Sequence, residues 1–460
     1  MGNTAIKIAL PKGRLLRNTA AILQKADWQL DEYHSKIGFY RPTAKKFPEL
    51  RIRVFNEKDI PIQIAMGNYD LGICGLDWVE ELVAKYPSAD IVKVKDLGYS
   101  AGALYMAAAS DKTKNNGNLV RIASEYPNLA ESYALKHRLG RFAVFPVWGA
   151  AEAYPPENAE MALLSTYAKN ELASYGLVPT DKVLDFSALL IANRQSWETK
   201  HLDKFVSSIC DAAPEAAQKK IVAEIPISTT LSKASNGNVR LALPDGHQQQ
   251  QVVELLKQAG IDMIDYPSDS GNRRPGIKME GISVKVIRPQ DMPLQVANDA
   301  FDIGITGRDW LTDHLAQFPS SPVEEILDLK ARKVRLVAVV SNELPVSSAS
   351  ELSSYVQSKE APVRIASEYV NIADKYARDN HLGYYSVIPT WGATEAFLPE
   401  DADMLIENTE TGRTIARHNL KIIDTLFEST GCVISRNNIE PTKQRQINIF
   451  VEKLKKGLGE

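Results

Sequence analysis

Cysteine is scarce in this chain of 460 residues, with only Cys74, Cys210 and Cys432 at widely separated positions. No pair has the short spacing that is typical of zinc or redox motifs, so the sequence predicts neither a disulfide framework nor a structural zinc site. The seven histidines also lack a spacing suited to a metal ion. This cysteine usage is typical of a reducing compartment, and we therefore expect a cytoplasmic protein.

Long apolar runs and a strong net charge are lacking as well. No run of about 18 apolar residues occurs, so the sequence predicts no membrane span. The first strand pattern begins at Ile6, which leaves no room for a secretory signal after Met1. The net charge of −3 argues against non-specific binding to nucleic acid, but it does not exclude a local basic pocket for phosphates.

An internal repeat determines the predicted architecture. Residues 50–78 match residues 282–310 with 11 identities in 29 positions, at an offset of 232. Residues 121–153 match residues 364–396 with 19 identities in 33 positions, at an offset of 243. The offset rises by 11, which predicts an insertion in the second copy between about 317 and 360. A unit of this length is too long for a solenoid repeat, so we expect duplicated domains.

The two copies are expected to be complete two-lobed units joined by a linker. The Ser-, Thr- and Asn-rich composition of Ile225–Asn238 is typical of a flexible connection. The predicted boundaries are 1–228 for the first copy, with lobe I at about 1–100 plus 186–228 and lobe II at about 101–185; 229–238 for the linker; and 239–460 for the second copy, with lobe I at about 239–335 plus 429–460 and lobe II at about 336–428.

Strand and helix patterns alternate through both copies. Ile6–Leu10 is a strand pattern that ends at Pro11-Lys12-Gly13, and an amphipathic helix pattern follows. Asp59 precedes Ile60-Pro61, which predicts a helix with Asp59 as its N-cap. Such alternation predicts α/β lobes with mixed, mostly parallel sheets and crossover helices, which bind ligands at the carboxyl ends of their strands. The expected fold is two tandem copies of a unit like the type II periplasmic binding proteins.

The segment richest in binding chemistry is Glu407-Asn408-Thr409-Glu410-Thr411-Gly412-Arg413-Thr414, which we call the TG loop. It follows an apolar run and precedes a helical pattern. Hydroxyls and main-chain amides at a helix start can hold a phosphate, and carboxylates can hold ribose hydroxyls or magnesium. Glycine at position 412 lets the backbone approach a ligand closely. On spacing alone, an ordinary loop with a helix cap explains this segment at least as well.

Several motifs occur in the order found in ATP phosphoribosyltransferases. They are ALPKGRL at Ala9–Leu15, DIP and DLGICGLD within Asp59–Asp77, RIASEYPN from Arg121, WGAAEA from Trp148, and ETGRT in the TG loop. Each motif is weak alone, but the ordered set covers nearly all of each copy and resembles the catalytic unit of that family. The resemblance implies a pentosyltransferase that transfers the phosphoribosyl group of phosphoribosyl pyrophosphate to the adenine ring nitrogen of ATP and releases pyrophosphate, in the first step of histidine biosynthesis.

The resemblance also implies how the substrates bind. The TG loop would hold the 5′-phosphate and ribose of the donor through Glu407, Thr409, Glu410, Thr411, Gly412, Arg413 and Thr414. Mg²⁺ would arrive with the substrate phosphates, and Glu407 is the candidate protein ligand. Positive charge develops on the ribose and negative charge on the leaving group, so we expect catalysis by positioning and electrostatic stabilisation without a nucleophilic side chain.

The two copies differ in complementary ways. In place of the TG loop the first copy has Leu164–Glu171, which lacks glycine and contains the bulky Tyr167 and Lys169. In place of Lys12 and Arg14 the second copy has Asp245 and His247, so both basic groups are lost there. Neither copy alone therefore carries the full set of motifs.

Three explanations are open. In the first, the copies pack as a pseudo-dimer, and Lys12 and Arg14 reach the ATP phosphates beside the TG loop in one composite site. In the second, the second copy is catalytic alone and the first is regulatory or structural; the basic residues would then be Arg273, Arg274, Arg288 and Arg308. In the third, the chain binds nucleotides without turnover. The residues predicted to bind ATP or pyrophosphate are Lys12, Arg14, Arg288 and Arg308.

Other recurring side chains have two interpretations each. They are Trp148 and Trp391, in core packing or adenine stacking; Asp77 and Asp309, as helix-start caps or magnesium ligands; and Glu152 and Glu395, in structural hydrogen bonds or ligand contacts. His418 is expected on a helix surface.

A different functional class is also open: a non-catalytic regulatory protein that binds nucleotides or phosphoribosyl compounds, or a cytosolic sensor of a small ligand. Short members of the family assemble with a separate regulatory subunit, so the resemblance raises such a partner, and further homo-oligomerisation, as possibilities. Longer members carry a C-terminal domain that senses histidine. The second copy fills that place without resembling it, so feedback by that route is not expected.

Overall fold

The computed structural model describes residues 5–34, 40–109, 119–168, 170–214, 237–269, 271–331, 333–357 and 361–459. Within these residues, helices and strands form two successive series of similar order. Lys169 and most of the predicted linker 229–238 lie outside the described residues, so those two expectations stay predictions. No helix in the described part of the chain is both long and apolar enough to cross a membrane.

The first copy alternates strands and helices as predicted. Its elements are β1 (Lys7–Pro11), α1 (Leu16–Lys25), β2 (Arg51–Phe55), α2 (Ile60–Ala65), β3 (Leu71–Gly75), α3 (Leu76–Lys85), β4 (Ile91–Asp96), β5 (Gly102–Ala108), β6 (Val120–Ser124), α4 (Pro127–Lys136), β7 (Phe142–Pro146), β8 (Met161–Thr166), α5 (Glu171–Ser174), β9 (Val178–Phe186), β10 (Ala188–Asn193), α6 (Arg194–Thr199) and α7 (Asp203–Ala212).

The second copy repeats this order up to its last strand, has one helix where the first copy has α6 and α7, and adds a short hairpin, β12–β13, and a helix, α11. Its elements are β11 (Val239–Pro244), α8 (Gln249–Gln258), β12 (Met263–Ile264), β13 (Gly276–Ile277), β14 (Ile282–Ile287), α9 (Met292–Ala297), β15 (Ile303–Gly307), α10 (Arg308–Gln317), β16 (Val323–Asp328), β17 (Val334–Ser341), α11 (Ala349–Gln357), β18 (Val363–Ser367), α12 (Val370–Asp379), β19 (Tyr385–Pro389), β20 (Met404–Thr409), α13 (Arg413–Arg417), β21 (Leu420–Ser429), β22 (Gly431–Arg436) and α14 (Pro441–Gly457).

All four lobes contain a five-stranded sheet with the same strand arrangement. The orders are β2-β1-β3-β10-β4 and β7-β6-β8-β5-β9 in the first copy, and β14-β11-β15-β22-β16 and β19-β18-β20-β17-β21 in the second. In each sheet the fourth strand is antiparallel to its two neighbours, and the other pairs are parallel. We call the sheets that contain β1 and β11 lobe I, and the others lobe II. The predicted α/β fold, with two tandem two-lobed units and mostly parallel sheets, is confirmed.

Lobe I of each copy packs against lobe II of the other copy. One apolar cluster joins Phe55 and Ile60 of the first copy to Val337 and Phe397 of the second. The rings of Phe55 and Phe397 meet edge to face, with centroids 5.2 Å apart. The reciprocal cluster joins lobe II of the first copy to lobe I of the second. Full burial of one such side chain contributes about 1.5–3 kcal/mol, so these two shared cores hold the copies together as a pseudo-dimer.

Polar contacts across the same surface use the carboxylates that precede α2 and α9. Asp59 occupies the N-cap position of α2, but its side chain forms no capping hydrogen bond. It accepts a hydrogen bond from the main-chain N–H of Trp391 in the other copy instead. Its counterpart Asp291 accepts from the N–H of Trp148 at 3.1 Å. The predicted capping role of Asp59 is therefore wrong, because its carboxylate is used between the copies.

The predicted insertion in the second copy corresponds to the connection between β17 and β18, which contains α11. The equivalent connection between β5 and β6 is shorter. The pseudo-dimer brings the loops after β18, β19 and β20 of the second copy next to the loop after β1 of the first copy. Carboxyl ends of strands from both copies thus meet at one place.

Candidate functional site

The TG loop connects β20 to α13 and is open to solvent. Glu410, Thr411, Arg413 and Thr414 are exposed. Gly412 has φ +72°, a left-handed conformation that glycine adopts without strain. The hydroxyl of Thr409 accepts a hydrogen bond from the N–H of Gly412 at 2.9 Å, and the hydroxyl of Thr411 accepts a long one, 3.4 Å, from the N–H of Arg413. The turn is held from within, and its outer face is accessible to a ligand.

The equivalent loop of the first copy holds a carboxylate of its own chain. The side chain of Glu171 accepts hydrogen bonds from the N–H groups of Tyr167 and Ala168 at 2.7 and 3.4 Å. At the repeat offset of 243, Thr414 stands where the first copy has Glu171. An internal anion thus sits on the amides of the first loop, whereas the second loop has a neutral hydroxyl side chain at that position.

Arg14 closes the cleft of the first copy. Its guanidinium donates to Glu57 at 2.6 Å, to both carboxylate oxygens of Asp77 at 2.8 Å, and to the hydroxyl of Tyr167 at 2.5 Å. It also lies 5.0 Å from the ring centroid of Phe186. Burial raises the pKa of Glu57 to about 7, and the charge of Arg14 opposes that shift. Because these groups satisfy one another, the predicted ATP ligand Arg14 lies in the first cleft and away from the TG loop.

Lys12, two residues earlier, lies against the second copy. Its Nζ is 3.2 Å from the point where a Cβ on Gly392 would lie, next to Trp391. It is also 5.6 Å from the ring centroid of Tyr40. Burial lowers the pKa of Lys12, and nearby carboxylates oppose that shift; they belong to Glu395, Asp59, Glu368 and Glu407. One predicted basic residue of the first copy is thus placed beside the strand ends that carry the TG loop.

Three half-buried glutamates of the second copy form an acidic group around Lys12. Burial raises the pKa of Glu368 to about 7. Burial also raises the pKa of Glu407 well above its usual range, and the like charges of Glu395 and Glu368 add to that shift. In the described part of the chain, no group of three or more His, Cys, Asp or Glu residues could hold a metal ion. The Mg²⁺ expected with the substrate phosphates, and Glu407 as its candidate ligand, therefore stay predictions.

A hydrogen-bond chain joins the two lobes of the second copy below the TG loop. The side-chain amide of Asn408 donates to the hydroxyl of Tyr369 at 2.6 Å, which donates to Asp309 at 2.8 Å. Among the described residues, Asp309 forms no ion pair, whereas its counterpart Asp77 pairs with Arg14. The main-chain N–H of Trp310 also donates to Asp309. In the described part of the second cleft, Asp309 thus has no arginine partner of the kind that Arg14 provides for Asp77.

The remaining predicted basic residues are engaged elsewhere. Arg308 pairs with Glu325 at 2.6 Å and with Asp328 at 3.1 Å in its own lobe. Arg288 donates to Asp245 at 3.2 Å and lies beside Gly149 of the first copy. No hydrogen bond or ion pair joins either side chain to the TG loop in the part of the chain that the structure describes. Their role as phosphate ligands stays a prediction.

The arginines of the second explanation also face the first copy. Arg273 pairs with Glu152 at 2.7 Å and with Asp245 at 2.8 Å. Arg274 donates to the carbonyl oxygen of Pro155 at 2.5 Å. Glu152 therefore has a structural ion pair, whereas its counterpart Glu395 faces Lys12.

His418 is not on the surface, so that prediction is wrong. Its side chain is 4% exposed, and its ring stacks on Tyr40 of the first copy with centroids 5.0 Å apart. The end of α13 is covered because the other copy packs on it. Sequence reasoning also missed Tyr40 and the internal carboxylate of Glu171. The exchange of Glu171 for Thr414 between the aligned copies was the signal that could have shown the latter.

Two-lobed α/β units that pack reciprocally, with an accessible amide-rich turn at a strand end, are typical of proteins that bind anionic ligands in a cleft. The family model described as ATP phosphoribosyltransferase (HisG) matches residues 56–211 and 288–456. The chain belongs to the ATP phosphoribosyltransferase family. The match falls in two segments, one in each copy, which agrees with the tandem duplication.

Curated relatives match about one copy of the chain each. An ATP phosphoribosyltransferase of Chlorobaculum parvum is 34% identical over 206 residues, which are 44% of this chain and 64% of that protein. That of Chlorobium chlorochromatii is 34% identical over 222 residues, 46% of this chain and 70% of that protein. That of Pelotomaculum thermopropionicum is 32% identical over 197 residues, 42% of this chain and 62% of that protein. About a third of each relative's length is thus unmatched.

Solved structures are more distant. The ATP phosphoribosyl transferase (HisG:HisZ) complex from Thermotoga maritima is 23% identical, with a TM-score of 0.40, over 48% of this chain and 98% of that chain. The periplasmic aliphatic sulphonate binding protein SsuA from Escherichia coli is 14% identical, with a TM-score of 0.30, over 49% of this chain and 69% of that chain. At such TM-scores these similarities carry no argument about function.

Proposed function

We propose that the chain transfers the phosphoribosyl group of phosphoribosyl pyrophosphate to the adenine ring nitrogen of ATP and releases pyrophosphate, at one donor site per chain. Family membership supports this reaction. The observation that carries the single-site proposal is the exchange of Glu171 for Thr414. The first loop holds a carboxylate on the amides of Tyr167 and Ala168, whereas the equivalent amides of the TG loop, those of Glu410 and Thr411, hold none among the described residues and are exposed. A donor phosphate therefore meets a prepared anion site only in the second copy.

The site is proposed to be composite, with Lys12 of the first copy as its basic group. Lys12 lies between Glu395, Glu368 and Glu407 of the second copy, so its ammonium is next to the strand end that leads into the TG loop. Its lowered pKa reflects burial, and a phosphate would replace the water that the ammonium has lost. Arg14 is not available to bind a phosphate in this way, because its guanidinium already donates hydrogen bonds to Asp77, Glu57 and Tyr167.

In this proposal the residues act by position and charge. The exposed amides and hydroxyls of Thr411 and Thr414 hold the 5′-phosphate, and Glu407 and Asn408 receive the ribose hydroxyls. The adenine nitrogen forms the new bond to the anomeric carbon while the bond to pyrophosphate breaks, and the electron pair leaves with pyrophosphate. Lys12 stabilises the negative charge that develops on that group. A Mg²⁺ ion bound to the substrate phosphates would add further positive charge there.

The test is pyrophosphate release from ATP, phosphoribosyl pyrophosphate and Mg²⁺, measured for the wild type, Lys12→Met and Arg308→Met. A hydrogen bond to a charged group contributes about 1.5–3 kcal/mol, so Lys12→Met should lower kcat/KM about 10- to 150-fold. Arg308→Met is the matched control, since its guanidinium is held by Glu325 and Asp328, and it should change kcat/KM less than threefold.

The outcomes separate the three explanations. Loss of activity in Arg308→Met with full activity in Lys12→Met would overturn the composite site in favour of the second copy alone. Donor binding by the wild type without pyrophosphate release would overturn the enzymatic proposal in favour of a binding protein. A separate regulatory subunit stays a prediction, and adding candidate subunits to the same assay would reveal it.

A further inference from the structure

A cavity of about 660 Å³ lies between the two copies, and no residue of the TG loop lines it. Equivalent residues of both copies line the cavity, so it lies where the same surface of each copy faces the other. Four of the six tryptophans of the chain line it: Trp78, Trp148, Trp310 and Trp391. A concave cavity of this volume with aromatic walls is typical of a site for a small organic molecule.

The half of the cavity that the first copy builds contains a cation of the chain itself. The ammonium of Lys58 donates to Glu125 at 2.7 Å. It also lies 4.7 Å from the ring centroid of Trp78. Trp78 stacks on Tyr126, with centroids 4.3 Å apart and an interplanar angle of 28°. A carboxylate and an indole face thus bind one ammonium group, an arrangement that cation–π attraction and a charge-assisted hydrogen bond stabilise.

The half that the second copy builds has the same platform without the ammonium. Trp310 stacks on Tyr369 with the same centroid distance and angle, 4.3 Å and 28°. Glu368 stands at the position of Glu125, but Gln290 replaces Lys58. The side-chain oxygen of Gln290 is buried and has no hydrogen-bond partner among the described residues. This half therefore lacks the lysine that binds the carboxylate and the indole face of the other half, and the only positive charge that the described residues supply to Glu368 is that of Lys12, from outside the cavity wall.

The charge of the wall favours a cation as well. Its carboxylates are Glu81, Glu125, Asp291, Asp313 and Glu368, and its lysines are Lys58 and Lys85. Glu81 and Asp313 accept hydrogen bonds from main-chain N–H groups at the starts of α4 and α12. Asp291 accepts from the N–H of Trp148. His314, also in the wall, shares a hydrogen bond with Ser321. Among these carboxylates, Glu368 is thus the one that lacks the neighbouring lysine of its counterpart.

We propose that this half of the cavity binds the ammonium group of a small aromatic amine, with Glu368 and Gln290 as hydrogen-bond acceptors and Trp310 beneath the charge. The aromatic body lies against the remaining indole rings. The site is distinct from the donor cleft but adjoins it. Lys12, which does not line the cavity, lies near Glu368: its Nζ and an oxygen of Glu368 each lie 3.2 Å from the Cβ position of Gly392. A bound amine would share Glu368 with Lys12, which couples the two sites.

The test is isothermal titration calorimetry of the full chain with 2-phenylethylammonium, and with 2-phenylethanol as its neutral analogue. The wild type should bind one ammonium ligand per chain, at least tenfold more tightly than the alcohol. Gln290→Lys supplies the missing cation and should weaken ammonium binding at least tenfold, whereas alcohol binding should change less. Lys58→Gln removes the built-in cation of the other half and should raise the stoichiometry from one to two.

Equal affinity for the ammonium and the alcohol would overturn the proposal, since the cavity would then be merely apolar. Unchanged ammonium binding in Gln290→Lys would overturn it as well. Thermal unfolding of each variant shows whether it folds. If Lys58→Gln does not fold, the comparison of the ammonium with the alcohol and that of the wild type with Gln290→Lys still test the proposal. Phosphoribosyl pyrophosphate binding, titrated separately, distinguishes this site from the donor site, so either proposal can fail alone.

Discussion

The substitution Thr414→Glu would transfer the internal anion of the first loop into the TG loop. In the first copy, the carboxylate of Glu171 accepts one short hydrogen bond, 2.7 Å from the N–H of Tyr167, and one long one, 3.4 Å from the N–H of Ala168. The short bond is worth about 1.5–3 kcal/mol, and the long one adds little. A donor phosphate would have to displace this carboxylate and face its charge.

The repulsion can be estimated from Coulomb's law. Two charges about 5 Å apart near a protein surface, at an effective dielectric constant of about 20, repel by about 3 kcal/mol. The carboxylate can swing into solvent, which relieves part of this cost. We therefore expect Thr414→Glu to weaken binding of phosphoribosyl pyrophosphate by about 2–4 kcal/mol, or roughly 30- to 1,000-fold.

Isothermal titration calorimetry with phosphoribosyl pyrophosphate and Mg²⁺ measures this effect, with Thr414→Gln as a neutral control of similar size. Position 414 is exposed, so both variants should unfold within about 0.5 kcal/mol of the wild type. If Thr414→Glu bound the donor within threefold of Thr414→Gln, the amides of the TG loop could not be the phosphate site, and the comparison between the loops would be refuted.

Three further predictions concern the first copy and the packing between copies. Glu171→Thr should leave pyrophosphate release within twofold of the wild type, because Arg14, Glu57 and Tyr167 still fill the first cleft; a gain of a second donor site would contradict this. Burial lowers the pKa of His418 to about 4, so the unfolded chain binds its proton first as the pH falls below about 6.5, and the contribution of this residue to stability decreases toward pH 4. The buried carboxylates of Glu57 and Glu368, whose pKa values are raised, act in the opposite direction, so the contribution of His418 is measured as a difference between variants. With allowance for solvent screening, the wild type should lose about 1–2 kcal/mol more between pH 7 and pH 4.5 in urea titrations than His418→Phe, which keeps the ring stacked on Tyr40. Phe397→Ala should lower the free energy of unfolding by about 3–5 kcal/mol, because the ring is 1% exposed in a core shared by both copies, and a smaller effect in urea unfolding would show that this core collapses around the gap.

The architecture could be predicted from the sequence because two separate blocks of the first copy recur in the second. The two aligned blocks fix equivalent strands and helices, and the alternation of apolar strands with helix starts fixes the mostly parallel sheets. The TG loop was also visible, since an acidic strand end followed by Thr-Gly is a local pattern. These features depend on residues that are close in the sequence.

The placement of Lys12 and Arg14 could not be predicted in the same way. Only Gly13 separates them, yet Lys12 turns to the second copy and Arg14 turns into the first cleft. This choice depends on Asp77, Glu57 and Tyr167, which lie far along the chain and compete for Arg14. The side chain of Asp59 likewise does not form the expected helix cap, because it accepts a hydrogen bond from a main-chain amide of the other copy. Contacts between residues far apart in the sequence, within the first copy for Arg14 and between the copies for Lys12 and Asp59, decided the points that local patterns left open.

The number of donor sites tests the central claim most directly. The full chain, titrated calorimetrically with phosphoribosyl pyrophosphate in the presence of Mg²⁺, should bind one molecule per chain, because the amides of Tyr167 and Ala168 already hold Glu171, whereas the equivalent amides of the TG loop hold no carboxylate among the described residues. A stoichiometry of two, or of one that persists in Thr414→Glu and disappears when the first loop is altered, would contradict the account.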